Sequence, residues 1–179
     1  KHYGVPYQWG PNVLMYNTTV FPTAPTSWNV VFEEQNLSDG KSNKGRVQAY
    51  SGPIYIADAA LYLSKTKPDL KITNPYALDD TQFQAAVDLL KGQKPNISSY
   101  WADYTKEVSG FSQGSIVLGT AWQINLNLIN GEGKVKVDGV LPKEGATGWS
   151  DTWMIAAKAA HPNCMYKWMN WIVSPEVNA

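Results

Sequence analysis

Short apolar runs of strand character alternate along this chain with segments of helical period. That alternation restricts it to an α/β sandwich around a mixed sheet. The clearest helix follows Asp79 and Asp80, either of which can cap it, and puts Phe83, Ala86, Val87 and Leu90 on one face. An earlier helix opens at Gly52-Pro53, with proline in its first turn, and runs to about residue 65, before Pro68. Thr26 or Ser27 caps a short helix reaching Phe32. Segments 102–113 and 123–130 also read as helices, and a last helix over 163–173 carries Met165, Trp168, Met169 and Ile172. Between them, an extended entry over 3–17 is broken at Gly10-Pro11, and strands are predicted over 46–50, 115–121, 135–140 and 152–157.

Composition narrows the function classes. Fifteen acids balance fifteen bases and charged residues make up only 17% of 179. Such a chain has no electrostatic footprint for nucleic acid or for an anionic membrane surface. Cys164 is the only cysteine, which excludes an intrachain disulfide and a thiolate zinc cluster; its place in the last helix predicts a small core residue. No stretch approaches the ~18 apolar residues of a membrane span. No signal peptide is visible either, but the chain opens inside what reads as a strand, and both ends look cut from something longer. Eight Trp and ten Tyr are more than a core of this size needs, which leaves aromatics for a ligand cage.

One segment points to chemistry. A basic strand runs into Leu141-Pro142-Lys143-Glu144-Gly145, and Trp149-Ser150-Asp151 follows. In an extended segment, residues two apart face the same side, so Trp149 and Asp151 share one space. An indole face and a carboxylate together suit an organic cation, which is a binding signature rather than a catalytic one. His161 and Cys164 are near each other, but helix geometry does not join them as base and nucleophile. Asp79-Asp80 is explained by a helix cap. The glycosylation-type triplets at Asn17, Asn36 and Asn96 carry no functional weight.

Four segments, kept in order along the chain, carry a family resemblance. They are Gly4-Val5-Pro6-Tyr7-Gln8-Trp9-Gly10, Ala121-Trp122-Gln123, Pro142-Lys143-Glu144-Gly145 with Trp149-Ser150-Asp151, and the terminal Asn170-Trp171-Ile172-Val173-Ser174-Pro175-Glu176-Val177. Together they resemble bacterial extracytoplasmic solute-binding proteins of ABC importers, most of all the spermidine/putrescine-binding branch. The resemblance implies a type II periplasmic-binding-protein-like lobe, a mixed sheet flanked by helices. It implies a hinge-crossing strand over 1–12, a second lobe over 13–145, and a return crossing with a helix of the first lobe over 146–179. The solute would lie in an interlobe cleft to which a first-lobe portion outside this sequence supplies about half the contacts.

By the same resemblance, Trp149 and Asp151 match an indole and a carboxylate that hold an amine, and Trp122 matches a second aromatic wall. Trp9, Gln123, Tyr55 and Ser51 complete the candidate ligand contacts. Where the polyamine branch carries acidic residues after the strand ending at Tyr50, this chain has Gly52 and Tyr55. A long polycation would then keep an unpaired ammonium, which is costly to desolvate. The opening of a helix at Gly52-Pro53-Ile54 instead attracts negative charge, with Tyr50, Ser51 and Tyr55 as hydroxyl donors. The expectation is a periplasmic receptor for a small amine such as putrescine or an amino-acid-like zwitterion, partnered by a membrane permease, without cofactor, metal or catalytic residues. Two other classes compete: an enzyme on this scaffold using Cys164, and a ligand-free interaction module.

Overall fold

The structure is a computed structural model that describes residues 4–178. It divides into two compact units, one formed by Asn12–Thr147 and one by the segment up to Pro11 together with the segment from Gly148 onward.

The larger unit is a five-stranded mixed sheet. Its strands are β2 (Val13–Asn17), β3 (Val47–Tyr50), β4 (Ile97–Trp101), β5 (Leu118–Ala121) and β6 (Val137–Val140), in the order β4-β3-β5-β2-β6. β3 runs parallel to β4 and β5, while β2 runs antiparallel to β5 and β6. The helices are α1 (Asn29–Phe32), α2 (Ile54–Thr66), α3 (Asp80–Gln93), α4 (Tyr104–Ser112) and α5 (Gln123–Glu132).

Two cores lie on the two faces of this sheet. Leu14 and Tyr16 join Trp28, Phe32, Tyr55, Leu63 and Ala86, residues that come largely from α1, α2 and α3. Val13 and Met15 join Val108, Phe111, Leu126 and Ile129 from α4 and α5. A strand covered on both sides has no face to give to polar residues, which is why Val13-Leu14-Met15-Tyr16 is continuously apolar.

Local sequence explains most of the elements. Asp79 and Gln82 form a capping box at the start of α3: the Gln82 N–H donates to Asp79 Oδ1 (2.8 Å) and the Asp79 N–H donates to Gln82 Oε1 (3.1 Å). The face of α3 differs from the expectation, since Phe83 is 46% exposed and Val87 only half-buried while Ala86 is fully buried. Packing comes from Ala85, Ala86, Leu89 and Leu90, so the buried stripe is rotated away from Phe83. β4 was not expected, because Ser98-Ser99 interrupts its apolar pattern; its pairing with β3 creates it.

The Pro142–Gly145 motif proves to be an anchor. Buried Glu144 accepts from Ser27 Oγ (2.6 Å) and from the Trp28 N–H (3.2 Å), and the Trp28 indole donates to the Gly145 carbonyl (2.8 Å). Gly145 has φ +91°, a conformation that disfavours any side chain.

The smaller unit contains the antiparallel ribbon of β1 (Val5–Pro11) and β7 (Gly148–Trp153), and α6 (Pro162–Ile172). The expected extended entry at Tyr3 lies outside the described residues. The strand predicted over 152–157 lies earlier, because its pairing partner is β1, opposite residues 148–153. Cys164 is exposed on α6, which corrects the expectation of a core thiol; Met169 is the buried residue of that helix.

Two glycines give opposite expectations for the same substitution. A Cβ at Gly119 of β5 would sit 2.2 Å from the Gln48 carbonyl oxygen of β3. Gly119→Ala should therefore destabilise the larger unit by roughly 2–4 kcal/mol in urea denaturation, since the obstacle is backbone. Gly92 in α3 faces open space. Gly92→Ala should stabilise by about 0.5 kcal/mol in the same measurement.

Candidate functional site

β4, β3 and β5 are mutually parallel neighbours, so their carboxyl ends lie along one edge of the sheet, where open α/β sheets place their ligands. Three aromatics occupy that edge: Tyr50 ends β3, Trp101 ends β4, and Trp122 directly follows β5. Ring centroids lie 4.9 Å apart for Tyr50–Trp101, 5.8 Å for Tyr50–Trp122 and 4.9 Å for Trp101–Trp122. Trp101 is buried as the base of the cluster, with its indole N–H donating to the Thr120 carbonyl (3.0 Å). Tyr50 and Trp122 stay half-buried above it and present their rings.

The Tyr50 ring lies across Gly52, where a Cβ would meet its Cε1 at 2.4 Å. A side chain at position 52 and the Tyr50 ring as placed exclude each other.

The Trp122 indole is fixed by a chain of directional hydrogen bonds. Its N–H donates to Asn12 Oδ1 (3.1 Å), the Asn12 amide donates to Thr147 Oγ1 (2.6 Å), and the Thr147 hydroxyl donates to Asp58 Oδ1 of α2. Asn12, Thr147 and Asp58 are all buried. Burial pushes the Asp58 carboxyl up to about 7, opposed by the Thr147 hydroxyl bond, which favours the charged form.

Asn125, in the first turn of α5, donates to Glu107 Oε2 of α4, and both residues are fully buried. Burial drives the Glu107 carboxyl well above the usual carboxylate range, against the Asn125 bond. Glu107 Oε1 and Asn125 Oδ1 have no partner among the described residues. A proton on Glu107 turns one of these acceptors into a donor. Asn125 is thus a core group tying α5 to α4, not a contact of the site edge.

The other expected residues of the larger unit divide. Gln123 is exposed at the first position of α5, and Ser51 is exposed after β3 with its N–H donating to the Trp101 carbonyl (2.8 Å). Tyr55 is 4% exposed, stacked on Phe32 at 5.9 Å, and its hydroxyl accepts from Gln93 Nε2 (2.6 Å). This corrects the expectation of Tyr55 as a hydroxyl donor at the site: one helical step turns it into the core.

In the smaller unit the ribbon register sorts the remaining residues. Gly10 faces Trp149, Trp9 faces Ser150 and Gln8 faces Asp151. Trp149 and Asp151 therefore share one face, as their spacing requires, and Trp9 stands on the other, 79% exposed. That separates Trp9 from the pair with which it was grouped. Trp149 lies over Gly10, where a Cβ would come 2.8 Å from its ring, and its indole N–H is buried without a partner among the described residues. Gln8 Nε2 donates to Asp151 Oδ2 (3.0 Å), holding an exposed carboxylate in place. Among the described residues no group of three or more His, Cys, Asp or Glu is arranged to hold a metal.

Sequence reasoning missed Trp101 and the ring role of Tyr50. The available signal was an aromatic at the end of each strand, Ala49-Tyr50 and Tyr100-Trp101, but it is readable only once β4 is known to be a strand.

The whole chain, residues 1–179, matches the family of bacterial extracellular solute-binding proteins. The chain belongs to that family. It is 24% identical over 176 residues to the spermidine/putrescine-binding periplasmic protein of Escherichia coli, covering 98% of this chain and 46% of that one. It is 27% identical over 190 residues to the putrescine/agmatine-binding protein of Pseudomonas aeruginosa, covering 100% and 49%. The solved Tp0655 (TpPotD) lipoprotein of Treponema pallidum superposes with a TM-score of 0.78 at 17% identity, covering 98% and 51%. The spermidine/putrescine substrate-binding protein PotD of Streptococcus pneumoniae does so at 0.73 and 20%, covering 98% and 49%. These likenesses establish the expected fold, the mixed sheet flanked by helices. The chain spans about half the length of the relatives it matches.

Asp58 gives a prediction of definite sign. A carboxyl that binds its proton more tightly when folded adds stability at low pH and loses it as pH rises toward its folded value. In urea denaturation, the stability of Asp58→Asn relative to the parent should rise by roughly 2–3 kcal/mol between pH 5 and pH 8.

Proposed function

We propose that this chain is part of a periplasmic receptor of an ABC importer, one that captures a small organic amine and delivers it to a membrane permease. The observation that carries the reading is the aromatic edge formed by Tyr50, Trp101 and Trp122 at the carboxyl ends of three parallel strands, in a chain of the solute-binding family. Half-buried aromatic rings without a side-chain cation among them form a surface for an alkyl chain or an ammonium group. Relatives named for spermidine, putrescine and agmatine support the amine class.

The ligand we favour is a putrescine-like diamine or an amino-acid-like zwitterion, ahead of spermidine. With the Tyr50 ring as placed, Gly52 has no side chain to pair the third ammonium of a longer polyamine. In this reading Trp122 and Tyr50 are the larger unit's surface for an alkyl part, and Asp151 beside Trp149 is the smaller unit's surface for an amine. Residues 12–147 form one lobe of the receptor, and the remainder of the chain belongs with the other. Binding selects a closed arrangement of the lobes, because only that state contacts the ligand from both sides.

The test is calorimetric titration of the full gene product with putrescine, spermidine, 4-aminobutyrate and an uncharged diol of matching length. Micromolar binding of putrescine or 4-aminobutyrate is expected. Trp122→Ala and Asp151→Asn should each weaken it about 10-fold or more. Equal binding of the diol would sink the amine assignment, and an undiminished affinity in Asp151→Asn would remove that carboxylate from the site.

A further inference from the structure

We propose that Asp58 is a positioning residue for the aromatic edge: acting through Thr147 and Asn12, it sets the orientation of the Trp122 indole. The reading of Trp122 as a ligand wall rests on the proposed function, but the placement of the indole does not.

The hydrogen-bond chain has a single consistent direction. Trp122 and Asn12 are N–H donors at their links, and the Thr147 hydroxyl, having accepted from Asn12, has its own proton left to give to Asp58. The chain needs a pure acceptor at its far end, and a carboxylate is one. A linear series of this kind polarises each member, so a change in charge at Asp58 is felt at the indole N–H three bonds away.

Backbone geometry supports the same role. The Asn12 N–H donates to the Thr147 carbonyl (2.8 Å), so the first and last residues of the larger unit are joined by main chain as well as by side chain. Buried polar groups of this kind are costly unless satisfied. Here they do not serve secondary structure, since Asn12 lies between β1 and β2 and Thr147 just before β7. What they hold in common is the indole.

Protonation of Asp58 falls in an accessible range, about 7, set by burial and by Thr147. The ionisable neighbour that feels its charge is Tyr55, which burial pushes well above its ordinary range, so it stays neutral throughout. Asp58 is therefore a buried group of the larger unit whose charge changes near neutrality, and the indole reports it.

The experiment is ¹H–¹⁵N spectroscopy of the full gene product without ligand, following the indole N–H resonance that disappears in Trp122→Phe. In the parent this resonance should titrate with a midpoint near that of Asp58. In Asp58→Asn, which still accepts from Thr147, the signal should stay in a folded position and no longer titrate. In Thr147→Val, which cuts the chain while Asp58 still ionises, titration should also be lost. A flat signal in the parent between pH 5 and 9, or titration that persists in either variant, overturns the proposal. Because no ligand is used, the outcome is independent of the receptor reading. Silent calorimetry with a titrating indole rejects only the function, and binding with a flat indole rejects only the positioning role.

Discussion

The larger unit depends on burying one strand from both sides. β2 forms the antiparallel boundary of the sheet, pairing with β5 and β6, and its alternate side chains feed two separate cores. Leu14 and Met15 are adjacent in sequence, point to opposite faces and are both fully buried. Each contributes roughly 2–3 kcal/mol by leaving water. A one-residue slip of β2 would exchange the contents of the two cores, so its register is strongly specified. Strand order follows from this placement. β3 can approach β5 only because residue 119 is glycine, and β4 then adds to the far edge.

That arrangement determines where chemistry can sit. Three parallel carboxyl ends leave backbone turning away into loops at one edge, and each strand there delivers an aromatic residue. Trp101 supplies the buried floor while Tyr50 and Trp122 remain accessible. Neither accessible ring is held by packing alone: Tyr50 leans on a position without a Cβ, and Trp122 is tied by its N–H to Asn12. Rings held this way would lose little side-chain entropy on meeting a ligand.

The buried acids show how burial changes the role of a residue. Glu107, Asp58 and Glu144 would count as three surface charges in a composition table. Each is instead enclosed with hydrogen-bonding partners, and in Glu107 and Asp58 burial raises proton affinity. Asp151 contrasts with them: it is exposed, and its carboxylate accepts from the neutral Gln8 amide.

The sequence by itself determined the alternation of strand and helix, the capped start of α3 and the shared face of Trp149 and Asp151. All of these follow from local periodicity, and the family resemblance was legible in ordered motifs. Tertiary structure alone decided the rest. β4 exists because β3 pairs with it, despite Ser98-Ser99, and only then does Trp101 reach the site edge. Tyr55 goes to the core and Trp9 to the opposite ribbon face because helix phase and ladder register, not residue type, set direction. The chain from Trp122 to Asp58 joins positions 12, 58, 122 and 147, which no local pattern relates, since hydrogen bonds between distant residues are fixed only when the chain has folded.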